Sequence, residues 1–254
     1  MSTNLAKMFA LVLVFYSGLA SANDLAMKRM VEDITNIFMS SMEYIFKNQP
    51  LINQKGGNKG ELFGQSFISN VKNTYHMKYR QPFPDLDHRA KRMLLQAMVE
   101  VLEDNRILLN DAEIGFKGLI PATFAFQLSR KLSIKGIGLT IKFTRHTQSI
   151  RNKANIPDEW EVEIMDKIQK EPRIYYDANA TLNGKPAYRQ FTPLPMKPYC
   201  LNCHGAMRNN PLNKGKDPAQ WTNIDMTGFT MENWTLKDFG GGVSISIEKS
   251  VITE

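Results

Sequence analysis

The sequence predicts an α+β fold, with helices first and an antiparallel sheet after them. Apolar residues recur at three- and four-residue steps through the first half of the chain, they turn to alternation after Leu132, and an Asn183-Gly184 pair punctuates the alternating half. The first period is that of a half-buried helix, and the second is that of a strand with one covered face. An Asn-Gly dipeptide supplies the positive φ angles that a two-residue hairpin turn requires. Helices gathered before strands, instead of alternating with them, place the chain in the α+β class.

Lys7 precedes an unbroken apolar run from Met8 to Tyr16, and Ser17, Gly18 and the small residues Ala20-Ser21-Ala22 follow. A basic start, a short apolar stretch and an A-x-A end read as a secretory signal, residues 1–22, cut after Ala22. The run is about half the roughly 20 apolar residues that a spanning helix needs. From Asp24, the residues Leu25, Met30, Val31, Ile34, Ile37, Phe38, Met42, Ile45 and Phe46 define a buried helix face that runs to about Lys47. Leu51 to Gly64 holds Gly56-Gly57 and Gly60 among polar residues and reads as a loop. Asp87 is the expected N-cap of a second helix, with Ala90, Met93, Leu94, Ala97, Met98, Val101 and Leu102 inward. A third helix is expected from about Asp111 to Lys131, kinked at Pro121.

Ile134, Ile137, Leu139, Ile141 and Phe143 approximate the alternation of a first strand. Pro157-Asp158 opens a short helix whose Trp160, Ile164 and Ile168 share a stripe. Arg173 to Asp177 begins the next strand, Asn183-Gly184 turns it, and Val243, Ile245 and Ile247 alternate with Ser244 and Ser246 in the last one. The expected division is a signal peptide (1–22), an N-terminal helical region (23–110) and a sheet-bearing domain (111–254).

With 43% hydrophobic and 22% charged residues among 254, the composition is that of a globular protein and excludes disordered or collagen-like chains. The formal charge of +7 falls by one when Lys7 leaves with the signal. No later segment is apolar enough to span a membrane, so the mature protein is expected to be soluble in the bacterial periplasm, with no transmembrane segment. The balance suits an acidic protein partner or an anionic membrane face. The exported location and the lack of recognition motifs argue against nucleic acid. The sequons Asn179-Ala180-Thr181 and Asn233-Trp234-Thr235 matter only in a eukaryotic secretory pathway.

The two cysteines fall together in Cys200-Leu201-Asn202-Cys203-His204, the C-x-x-C-H signature of c-type haem attachment. Two thiols so spaced add across the two vinyl groups of one haem, and the adjacent imidazole of His204 then lies under the iron as the proximal ligand. A disulfide between Cys200 and Cys203 would close a very small loop with little entropic benefit, and a thioredoxin-like pair would want a strand-to-helix setting. A zinc site would need further ligands, and no second C-x-x-C or H-x-x-H pair exists. Tyr188 to Tyr199 mixes aromatics and prolines, a rigid and partly apolar wall for a flat macrocycle or a strand end running into a loop.

Three stretches, Arg151 to Glu161, Tyr199 to Gly205 and Gly240 to Ser244, together resemble the PAS-like, single-haem c-type sensor domain of bacteria. The family's R-N-P-x-N-x-P-D-x-W-E block, C-L-x-C-H-G block and glycine-rich segment before the last strand stand here in the same order, and the resemblance runs from about Asp111 to the C-terminus. It implies a PAS-like antiparallel sheet carrying one covalent haem c, and a non-enzymatic periplasmic protein that senses redox state or a small ligand. The family's domain is often attached to a histidine kinase, a cyclase or a chemotaxis module, and no output domain is expected in this chain. Lys153 stands where the family has proline. Some members use a cysteine five residues before a helix proline as the distal iron ligand; here that position is Phe116, which cannot coordinate.

Imidazole candidates for the distal position are His76, His88 and His146. His88 reads as a first-turn helix residue and His76 as a loop residue. His146 is preferred, because it lies between Arg145 and the Arg151 block; Met196, Met207 or an open site are the alternatives. Arg145 and Arg151 are candidates to pair with haem propionates, since a guanidinium presents a fork to a carboxylate. Two protein ligands would suit redox sensing or electron transfer with a redox or signalling partner, and an open site would admit a diatomic gas. An electron-transfer cytochrome c is the alternative reading. A haem oxidoreductase is the second alternative, for which no distal acid or base is evident.

Overall fold

The computed structural model describes the backbone of residues 3–253 and the side chains of residues 24–251. The expected signal peptide and its cleavage point after Ala22 lie outside the residues whose side chains are described. Among the described residues eight α-helices and four strands follow in order: α1 (Thr3–Lys47), α2 (Gln49–Ile52), α3 (Gly64–Tyr79), α4 (Arg89–Asp104), α5 (Arg106–Asn110), α6 (Pro121–Lys135), β1 (Leu139–Thr144), α7 (Glu159–Lys170), β2 (Tyr175–Leu182), β3 (Lys185–Pro195), α8 (Leu201–His204) and β4 (Phe239–Glu248). The class is α+β, as expected. Among the described residues no helix is long and apolar enough to cross a membrane.

All strand pairs are antiparallel, in the spatial order β1-β4-β3-β2. Asn183 and Gly184 take φ values of 51° and 78° in the two-residue turn from β2 to β3, the left-handed conformations that this turn demands. Last in the chain, β4 pairs with both β1 and β3 and is buried along most of its length.

Alternation along β4 divides the sheet into two faces. Val243, Ile245 and Ile247 join Leu139, Ile141 and Tyr188 in one core with Val31, Ile34 and Phe38 of α1, Leu94 and Met98 of α4, and Phe124 and Leu128 of α6. The helical region and the sheet therefore share a single hydrophobic core. Gln190 on this face donates to Thr35 Oγ1 of α1 at 3.0 Å, and Tyr188 donates to Asp24 at 3.0 Å. The opposite face, with Phe191, is covered by Ile164, Met165 and Ile168 of α7.

Helix α7 starts with a capping box, Asp158 accepting from Glu161 N and Glu161 accepting from Asp158 N. The same two carboxylates hold the buried Arg189 of β3 at 2.8 and 3.2 Å, and Glu161 also meets Lys142 of β1 at 2.6 Å. The Pro-Asp-x-Trp-Glu stretch is thus an anchor that ties the helix to the sheet.

Several boundaries differ from the sequence reading. Helix α3, which places His76 in its last turn and not in a loop, was not anticipated; its buried stripe is short and half polar, Phe67, Val71, Thr74 and Tyr75. The N-cap of α4 is His88, whose Nδ1 accepts from Ala90 N at 3.1 Å, while the neighbouring Asp87 turns to Lys91 at 3.4 Å. Pro121 starts α6 and does not kink a longer helix, because a proline pushes the residue before it out of the helical region and its own lost donor is harmless at a first turn. Ile134 lies in the last turn of that helix, 81% exposed, so the first strand begins only at Leu139, after Gly136 and Gly138. Leu25 and Phe46, expected inward on α1, are exposed and half-buried respectively.

Phe38 is fully buried, and its ring meets that of Phe143 edge-on at 5.8 Å, where α1 joins the sheet. Phe38→Ala is expected to lower unfolding stability by about 3–5 kcal/mol, measured by urea denaturation. A loss under about 1 kcal/mol would mean that α1 is not integral to the core.

Candidate functional site

The chain between β3 and β4 is mostly irregular, and α8 is a single turn within it. Cys200 N and Gly205 N close this turn on Lys197 O and Leu201 O, each at 2.9 Å. A side chain at Gly205 would place its Cβ 2.6 Å from Leu201 O and 2.9 Å from Asn209 Oδ1, so the glycine after His204 is a requirement of packing. Cys200 and Cys203 are free thiols, both half-buried. Burial, together with the nearby carboxylate of Asp225, pushes the Cys203 thiol up to about 11, which keeps it protonated at neutral pH.

His204 is held on three sides. Its Nδ1 donates to Glu232 Oε2 at 2.8 Å, its ring stacks on Trp234 with centroids 4.8 Å apart and planes 9° from parallel, and its carbonyl accepts from Trp234 N at 2.7 Å. On Trp234 also lies the guanidinium of Arg145, 3.7 Å from the ring centroid. Arg145 Nε and Nη1 are buried without a hydrogen-bond partner among the described residues.

Arg151 binds everything around this column. Its Nε and Nη2 reach the two oxygens of Glu232 at 2.7 and 2.8 Å, its Nη1 reaches Asp225 Oδ2 at 2.6 Å, and Nη2 also donates to Cys203 O at 2.9 Å. The second oxygen of Asp225 accepts from Thr227 N, Thr227 Oγ1 and Phe229 N at 2.7–3.1 Å. Burial pushes both carboxyls up, yet hydrogen bonds from Thr227 and Arg151 hold Asp225, and those from His204 and Arg151 hold Glu232, below their ordinary values. Arg151 is raised by the same pairs against the effect of its own burial.

The helical region reaches the site directly. Phe46, at the end of α1, stacks on Tyr199 with centroids 3.8 Å apart, one residue before Cys200.

The site residues expected from the sequence are thus partly gathered. Cys200, Cys203, His204, Arg145 and Arg151 meet in one region, but Arg151 is engaged by two carboxylates and so does not present a free fork. His146 turns the other way, its Nε2 3.1 Å from Gln169 and 3.6 Å from Asp166, both on α7, because successive residues at a strand end point to opposite faces. His76 and His88 belong to α3 and to the cap of α4. Met196 is buried, close to Gly240, while Met207 is exposed.

Residues 27–248 match the Tll0287-like family. The chain belongs to that family. The match begins within α1, well before Asp111, where the motif resemblance started, and so takes in the helices that share the core with the sheet. Among solved structures, the crystal structure of the cyanobacterial heme-protein Tll0287 aligns with 61% of this chain and 94% of its own, at 13% identity and a TM-score of 0.37. No curated protein matches the chain. Within this member of the Tll0287-like family, Asp225, Glu232 and Trp234 are the site residues that sequence reasoning missed. Their only signal was a pair of carboxylates in a methionine- and aromatic-rich irregular stretch downstream of the cysteines.

Asp225 and Glu232 titrate lower in the folded protein than their ordinary 3.8 and 4.5. They therefore contribute stability that is complete above about pH 5 and is lost as the pH falls through their native values. Asp225→Asn should cost about 3 kcal/mol at pH 7, because it strips a buried partner from Arg151, and should flatten the loss of stability on acidification. Denaturant midpoints from pH 7 to pH 3 test this; equal acid sensitivity in variant and wild type would contradict it.

Proposed function

We propose that this chain is a periplasmic haem protein carrying one covalent haem c at Cys200 and Cys203, with His204 as the proximal iron ligand, and that it acts without an enzymatic activity of its own as a redox or small-ligand sensor. The setting of His204 carries the reading. With its Nδ1–H given to Glu232, the His204 ring offers Nε2 as the ligating atom, the arrangement usual for a metal-bound histidine with a carboxylate behind it. Two free thiols on the adjoining turn supply the attachment points. Tll0287, which gives its name to the family the chain belongs to, is a heme-protein, and this supports the presence of a haem.

The residues present fit such a group. Arg145, with two buried nitrogens lacking partners, is assigned to a propionate. Arg151 is not, since its guanidinium is already engaged by Glu232 and Asp225. A bound haem supplies a redox-active iron and, where its sixth position is free, a site for a diatomic gas. His146 is not carried into the proposal, its ring being engaged at α7. The sheet interrupted by α7 is read as a PAS-like frame, and the contact of Phe46 with Tyr199 gives a signalling partner on α1 a direct line to the site. Electron transfer to a redox partner is the second reading, favoured by the exposed Tyr199, Met207 and Leu212 near the motif.

Changing Cys200 and Cys203 to serine should abolish covalent haem, and His204→Ala should impair attachment and alter the spectrum. Haem staining of denaturing gels of periplasmic extracts checks this, and staining of the double-serine variant would refute the attachment. Oxidised and dithionite-reduced spectra with carbon monoxide then separate the roles. Bands that shift with the gas favour ligand sensing, and sharp bands indifferent to it favour redox sensing or electron carriage.

A further inference from the structure

Resting on the haem reading above, we infer that Glu232 sets the reduction potential of the iron through His204, and that Arg151 is the positioning residue that holds Glu232 to this task. The carboxylate lies 2.8 Å from His204 Nδ1, in the half-buried setting where a charged acceptor pulls most strongly on a donor proton. An imidazole whose Nδ1 proton is drawn toward a carboxylate is a better electron donor at Nε2 and stabilises the more highly charged metal state. Glu232 therefore favours ferric over ferrous iron.

A glutamate with free rotors would lose this effect to solvent. Here both carboxylate oxygens are fixed by the Nε and Nη2 of Arg151, and Arg151 is fixed in turn by Asp225 and by the carbonyls of Cys203 and Thr230. Trp234, stacked on the ring and bonded to the His204 carbonyl, locks the imidazole plane against rotation away from Glu232. Every rotatable part of the His204–Glu232 pair is thus held by a third group. Arg151 acts at one remove: it touches Glu232 and the backbone of Cys203, and reaches the imidazole only through them.

The test is an equilibrium redox titration of the purified holoprotein, with haem staining of each variant beside it. Glu232→Gln should retain covalent haem and shift the equilibrium toward the ferrous state at least tenfold, which is a rise in midpoint potential of about 59 mV for one electron. Glu232→Asp, which keeps the charge, should shift it less. Arg151→Gln should move the potential of the wild type but have little further effect in the Glu232→Gln background, because residues acting in series are not additive. A potential unmoved or lowered by Glu232→Gln, with haem retained, would overturn the role of Glu232, and additive shifts would overturn that of Arg151. Loss of haem from Glu232→Gln alone would assign Glu232 to attachment instead. Absence of stained haem from the wild type would refute the haem reading itself, a result distinct from all of these.

Discussion

The carboxylate of Glu232 lies between a guanidinium and an imidazole, and that shared contact ties three separate stretches of the chain together at the cysteine-histidine turn. Arg151 comes from the stretch after β1, His204 from α8, and Asp225 and Glu232 from the approach to β4. No regular hydrogen-bonded ladder joins these three stretches, so charge-assisted hydrogen bonds take its place. With the side chain of Asp225 fully buried and that of Arg151 only 19% exposed, loss of Arg151 would leave two carboxylates without their cation.

The sheet supplies the frame on which this cluster stands. One face is committed to the helical core and the other to α7, and the second commitment is itself ionic, through Arg189, Asp158 and Glu161. Where β1 ends, the alternation of the strand sends Arg145 to Trp234 and His146 to α7. The glycines that open β4 belong to the same junction. A Cβ on Gly242 would collide with the ring of Phe191, and Gly241, at φ +91°, sits against the carbonyl of Thr144. The strand can enter between β1 and β3 only without side chains there.

A site so built is stiff around His204 and open to influence from one direction. Phe46 lies in the last turn of a helix whose Val31, Ile34, Ile37, Phe38 and Ile45 are locked into the core, and its ring rests on Tyr199 beside the first cysteine. Movement of α1 relative to the sheet would be felt at the turn that carries both thiols. On the proposed reading, that contact joins the sensing chemistry to the helical half of the molecule.

Much of this was open to inspection in the amino-acid order alone. The amphipathic stripe of α1, the Asn183-Gly184 turn, the last strand and the cysteine-histidine motif are local patterns, each complete within a few turns or a few residues, and local sterics and burial decide them. Helix α3 escaped because its inward stripe is brief and half polar, and the start of α6 was misplaced because a proline opens a helix as readily as it breaks one. The partners of His204 escaped for a different reason. Glu232 and Asp225 are 28 and more than 20 residues from the motif and their meeting with Arg151 crosses more than 70 residues, distances over which a carboxylate in a loop looks like any solvated charge. The order of residues decided the class of fold and the placing of Cys200, Cys203 and His204 on one short turn, because those depend on neighbours in the chain. Which arginine is held by acids, which way His146 turns and what stands behind the imidazole were settled by packing, because those depend on charges and rings that only the folded chain brings within reach.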